Sequence, residues 1–294
     1  MATNEYLPQL ENLEVTAEVV SLIEHFSQIL PYIKKYEIDG DKITIIGLPS
    51  YEPKDYEWAY NKHEFKPEEV VKFTAKIEKT DKKIFYTVQS EDIESLAVNK
   101  PLLAKVMARQ DVQVGYDGSL YFDQRIIKEC VCELNNYKDT AKIEIERGTP
   151  AKEVAKTILT TARRLMEKSD KYNKRGTPCK IRDVKKLLLF ADNELYTDFE
   201  FELNGSSTIS IERFENKFAN VISENLANNV AFALISADAL AIGLALKKRN
   251  IVYDGYVDAK KILDLIWGKP FFVDYMPAVI ATYKNPTTKA STSK

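Results

Sequence analysis

Asp192 and Asp238 each follow a short apolar run, LLLFA at 187–191 and AFALIS at 231–236, and Glu194 lies just beyond the first. If both runs are buried strands, these carboxylates sit at strand ends. Ligands collect at such ends in α/β sheets, and oxygen donors of this kind can hold magnesium for phosphoryl transfer. The same residues have a plainer use. Asp192, Asn193 and Glu194 read as a helix start, and Asp238 can cap a helix that follows it. Only ten glycines are present and none forms a phosphate-cradling loop, so a nucleotide cofactor has no visible seat.

Other chemistry-bearing residues are sparse. His25 and His63 are the two histidines, and neither has a histidine or cysteine at metal-ligand spacing. Cys130 and Cys132 are too close on an expected helix to share a ligand easily, and read as a half-buried pair of small residues. Cys179 stands beside Pro178 in a loop without a histidine near it in sequence, a weak setting for a nucleophile. No cofactor and no metal site is expected, and the enzymatic reading is secondary.

The elements that must position these residues are better marked. Thr16 is placed to cap an opening helix through Val19, Val20, Ile23, Phe26, Ile29 and Leu30, ending before Pro31. Strands are expected at Lys42 to Gly47 and across Val70 to Val88. Between them, Pro49, Pro53 and Pro67 with several charges argue for an extended, hairpin-like excursion that needs a partner surface. Ser90 with Glu91 and Asp92 opens a helical stretch that Pro101, Gly115 and Gly118 should interrupt, giving a long broken spine.

Thr149 as N-cap with Pro150 after it marks the clearest boundary. The helix beyond places Ala151, Val154, Ala155, Ile158, Leu159, Ala162, Leu165 and Met166 on one face. Buried strands follow at Leu187 to Ala191, Phe218 to Ile222 and Val230 to Ile235, so Thr149 to about Leu246 reads as an α/β unit. A helix is expected after Asp238. The closing part reads as a strand at Ile251 to Tyr253, a helix around Asp258 to Trp267, a strand at Ala278 to Tyr283 and a disordered tail.

Composition limits the classes of function. At 45% hydrophobic and 29% charged, with a net charge of −2, the chain offers no global attraction for nucleic acid or an anionic membrane. Three cysteines without a disulfide pattern suit a reducing compartment, and the acidic opening residues lack the features of a signal peptide. The longest apolar stretch contains Asp238 near its middle, which speaks against a membrane span.

The succession TPAKEVAKTILTTARRLMEKSDKYNKRG, KKLLLFADNEL, FANVI and VAFALISADAL, with FFVDYMPAVIATYK at the end and KKIFYTVQSEDIESLAVNKPLLAKVMA upstream, resembles the tailed-phage major capsid proteins, especially those of small podophages. The resemblance covers roughly two thirds of the chain by the order of elements, with no single specific motif. It implies an α+β chain with the tailed-phage major capsid fold: an N-terminal arm at 1–41, an extended β loop at 42–89, and a spine-helix peripheral domain at 90–148 and 249–284. An α/β axial domain at 149–248 and a disordered tail at 285–294 complete it, and the final strand returns to the peripheral domain.

The implied function is that of a major head protein, a non-enzymatic shell subunit. It self-assembles as hexamers and pentamers into an icosahedral shell around the DNA of a bacteriophage. The implied partners are copies of itself, with scaffolding, portal and other capsid proteins. Packaged DNA is contacted weakly and no membrane is involved; the protein is made in the bacterial cytoplasm and resides in the virion. Another virion component, such as a collar or ring, is the alternative structural reading. Tyr51, Tyr56, Trp58, Tyr60 and Phe65 in the excursion are the expected interface, since aromatic loop residues are costly to order alone and gain burial on a neighbouring subunit.

Overall fold

The computed structural model describes residues 13–47, 71–89, 100–137, 140–169, 183–204, 210–254, 259–272 and 278–284. They form two compact units. Among the described residues, the first comprises those up to Ile126 together with Ala241–Phe271, and the second comprises Ile127–Leu240 with those from Phe272 onward.

In the first unit, helix α1 (Leu13–Phe26) leads to the short strand β1 (Lys34–Tyr36) and to the ribbon β2 (Lys42–Gly47) and β3 (Val71–Lys76). Strand β4 (Lys82–Gln89) and the long helix α2 (Lys100–Ile126) follow. Strands β9 (Leu240–Asp254) and β10 (Ala259–Phe272) return later to complete a sheet of order β1-β9-β10-β4. Thr16 lies within α1 and not at its cap, because the helix starts at Leu13. Helix α2 runs unbroken through Gly115 and Gly118, with Pro101 in its first turn, where a missing N–H costs nothing.

Those glycines serve a crossing. A Cβ on Gly115 would stand 2.7 Å from Leu22 Cβ, and one on Gly118 3.0 Å from Ile23 Cδ1, so their bare backbone lets α1 lie directly on α2. The crossing is tied at one end by Asp123, which accepts from the Ser27 hydroxyl at 2.5 Å and the Gln28 N–H at 2.8 Å.

The second unit holds β5 (Thr140–Ile145), α3 (Ala151–Ser169), β6 (Leu187–Asp192), α4 (Asn193–Asn204), α5 (Ile211–Glu215), β7 (Asn220–Glu224), β8 (Val230–Ser236) and β11 (Ala278–Tyr283). Its sheet has the order β5-β11-β8-β6-β7 and is mixed, with β6 and β11 both antiparallel to β8. The α3 face expected from sequence is the face that packs: Ala151, Val154, Ala155, Ile158, Ala162 and Leu165 are buried, with Leu159 and Met166 partly so. They meet Leu187, Leu189, Leu234 and Val279 from the sheet. Leu188, Phe190, Ala233 and Ile280 are equally buried. Strands covered on both faces read as continuous apolar runs, which is why LLLFA and VAFALIS stood out.

Several expectations are corrected. The helix expected around Asp258 to Trp267 does not form: residues 259–267 belong to β10, whose buried positions include Asp264, Ile266, Gly268 and Pro270. A polar residue, a glycine and a proline on the inner face hide the period of two. The chain after Asp238 is likewise strand β9, entered through a short turn at Ala237–Ala239. Thr149 does not cap α3; its hydroxyl donates back to Glu146 O at 2.7 Å, closing the turn at Gly148, whose φ is +82°. Pro150 O instead accepts the N–H of Val154 at 3.1 Å. Cys130 and Cys132 are fully buried beside a single π turn, Ile127–Val131, that ends α2. The last strand, β11, pairs with β5 and β8 in the second unit.

Candidate assembly site

The stem of the 48–70 excursion is built from the tight turn at Asp39–Lys42 onward. Asp39 and Lys42 exchange backbone hydrogen bonds of 2.9 and 3.0 Å around Gly40, whose φ of +59° needs a residue without Cβ strain. The chain then enters β2, which pairs antiparallel with β3 in the register Lys42↔Lys76 to Gly47↔Val71. Gly47 and Val71, the residues that flank 48–70, are therefore paired neighbours. Tyr51, Tyr56, Trp58, Tyr60 and Phe65 lie in that segment, outside the described residues, as do His63 and Cys179.

The stem is anchored firmly at its base. Ile43 is fully buried with Ile38 and Ile77, against Trp267 and Phe271. Lys247 Nζ donates to Ile38 O at 3.1 Å and Lys269 Nζ to Lys76 O at 2.8 Å, so two cations of the sheet clasp both sides of the ribbon. Where β3 passes into β4, Glu78 and Asp81 form a capping box over a short turn, and buried Asp81 pairs with Arg125 of α2 and, at 3.3 Å, with Lys269 of β10. Burial raises the Asp81 pKa, but the Glu78 N–H, Arg125 and Lys269 outweigh it and leave the carboxyl below its usual range.

Beneath the same sheet is a cluster that the sequence did not reveal. Arg249 of β9 holds Asp264 of β10 through two hydrogen bonds, 2.5 and 2.8 Å, and its Nη2 also lies 2.6 Å from Asp111 of α2. All three side chains are buried. Burial works against the Arg249 charge, yet the hydrogen bonds and charges of Asp264 and Asp111 raise its pKa. Two carboxylates face one guanidinium, so one negative charge is surplus; the Asp111 carboxyl is pushed up, chiefly by burial. No local motif announces this cluster, because its members lie far apart in sequence and meet only through the sheet.

Apolar surface remains open on α2. Val112, Tyr116 and Leu120, spaced one turn apart, are 48, 51 and 45% exposed. The Tyr116 ring meets Phe26 of α1 edge-on at 6.1 Å.

The carboxylates considered for magnesium do not meet. Leu187 of β6 pairs with Ser236 and Ala191 with Phe232, so Asp192 and Asp238 lie at opposite ends of an antiparallel pair. Five residues of strand separate those ends, on the order of 17 Å. Asp192 instead accepts from the N–H groups of Glu194 at 3.3 Å and Leu226 at 3.2 Å, fixing the start of α4 and the turn after β7. Ser236, not Asp238, caps the turn at Ala237–Ala239. Glu194 pairs with Arg147 at 3.1 Å, and Arg147 stacks over Tyr283 at 4.5 Å in a shallow cleft. Burial and the nearby carboxylates, Asp192 first, push the Tyr283 phenol up to about 12. Among the described residues, no group of three potential metal ligands comes together.

No protein-family model matches the sequence, and no curated protein matches it significantly. Solved structures do match. The virus-like particle from Pyrococcus furiosus superposes with a TM-score of 0.50 at 12% identity, over 91% of this chain and 97% of that one. The capsid of Staphylococcus phage Andhra gives 0.53 at 9% identity, over 97% and 90%. The chain has the tailed-phage major capsid fold. The capsid of Cyanophage P-SCSP1u also matches, with a TM-score of 0.50 at 10% identity over 87% of each chain. With identities this low, the capsid fold is shared through element order and packing, with little of the sequence retained.

Proposed function

We propose that the protein is the major capsid protein of a tailed bacteriophage, a structural subunit that assembles as hexamers and pentamers into the shell around the genome. The observation that carries this reading is the likeness of the chain, over nearly its whole length, to capsid and particle subunits. The domain division is then an N-terminal arm at 1–41, an extended loop at 42–89, a peripheral domain with α2 as its spine at 90–148 and 249–284, and an axial domain at 149–248. The aromatic residues between the paired strands β2 and β3 suit contact with a neighbour, and so does the exposed apolar line on α2.

The role is structural, with copies of itself as principal partners and scaffolding and portal proteins as further ones. A net charge of −2 suits a container that must not grip its DNA. No described helix is long and apolar enough to cross a membrane. Negative-stain electron microscopy of the purified chain, at several concentrations and with a scaffolding protein supplied, tests the reading. Closed shells or mixed hexamers and pentamers support it. A single ring size indicates a collar component, and a persistent monomer removes the reading.

A further inference from the structure

The helical layer of the second unit carries two complementary charge patterns. Leu195, Phe199 and Leu203 fill the inner face of α4. Phe201, two residues from both Phe199 and Leu203, points away from the core and is 81% exposed. Around it on the solvent side stand Glu194, Asp198, Glu200 and Glu202, all exposed. A lone exposed phenylalanine is unremarkable, but one set among carboxylates, of which only Glu194 has an ion-pair partner among the described residues, in Arg147, combines apolar surface with repulsion that a cationic, partly apolar partner relieves.

Such a partner surface is present on the same chain. On α3, the exposed residues Lys152, Lys156 and Arg163 follow one flank at helical spacing, with Leu159 and Met166 partly buried beside them. Lys156, Arg163, Glu200 and Glu202 form no ion pair with any described residue, although Glu202 accepts from the Lys152 N–H at 3.4 Å.

We propose that this layer is a contact between copies of the chain: the acidic Phe201 face of α4 in one copy docks on the Lys152, Lys156 and Arg163 flank of α3 in the next. Phe201 then seats against Leu159 and Met166. Both patches lie in one helical layer, so two copies meet reciprocally, each α4 on the other's α3, about a two-fold axis. The inference rests on the shell-subunit reading and adds to it a surface that joins two neighbouring copies.

The test uses three full-length variants, Phe201→Ser, Lys156→Glu with Arg163→Glu, and Glu200→Lys, under conditions in which the unaltered chain assembles. Native mass spectrometry and electron microscopy should show the assembled fraction falling about tenfold or more in each. Melting temperatures should stay within about 2 °C, since every altered side chain is exposed. Combining both charge reversals in one chain should restore assembly. Unchanged assembly in all three variants overturns the contact and leaves the shell reading standing. Reversals that each block assembly without mutual rescue assign the face to a different partner, and overturn it equally. An unaltered chain that never assembles removes the shell reading, and the contact with it.

Discussion

Ile43 occupies the space that a side chain on Gly243 would need: its Cδ1 lies 2.3 Å from the ideal Cβ position of that glycine, and Ile38 closes the other side at 3.3 Å. The base of the β2–β3 ribbon is therefore seated in the surface of β9 by a single absent methyl group. Gly243→Ala should destabilise the protein by about 1–3 kcal/mol through overpacking. Adding Ile43→Val should return part of the loss, and urea denaturation of the three proteins measures both steps.

Gly115 gives a prediction whose sign is informative. In an ordinary exposed helix, replacing glycine by alanine gains about 1 kcal/mol. Here the new methyl meets Leu22 Cβ at 2.7 Å, so Gly115→Ala should lower the melting temperature and speed proteolysis of α1. A rise in melting temperature would show that α1 does not lie on α2 as described.

The Arg249 cluster should respond unequally to loss of its two acids. Asp264→Ala removes the bidentate partner of a buried guanidinium and should cost about 3–5 kcal/mol. Asp111→Asn removes the surplus charge and should cost much less. Because burial raises the Asp111 carboxyl, its contribution to stability is fully present below the ordinary carboxylate pKa of about 4 and is lost as pH rises through the raised value. The stability difference between the unaltered protein and Asp111→Asn should therefore shift toward the variant as pH increases across that window, measured by denaturant titration at each pH.

Trp58 and Tyr60 should matter for assembly and little for folding. The double variant Trp58→Ala with Tyr60→Ala is expected to retain the melting temperature while failing to form shells. Normal shells from this variant would remove the loop from the interface.

By itself the sequence determined the elements whose pattern follows from local burial. The α3 stripe, the runs LLLFA and VAFALIS, and the strand at Ala278–Tyr283 all read correctly because each is covered by the core and so carries a clear period or an unbroken apolar run. Their order was enough to suggest the capsid fold. Only the tertiary structure decided the rest. Strand β10 was hidden because its inner face carries Asp264, whose burial makes sense only with Arg249 opposite. Gly115 and Gly118 looked like breaks because the helix that needs them lies about ninety residues earlier in the chain.

The strands on either side of the aromatic segment were marked in the sequence, but their clasped seat required Gly243, Lys247 and Lys269, which return from the far end of the sequence. Asp192 and Asp238 looked like one site because strand direction has no local signature; the antiparallel register of β6 and β8 sets them at opposite ends. Local periodicity is written into neighbouring residues, whereas charge pairing, close backbone approach and strand direction depend on residues that meet only when the chain has folded.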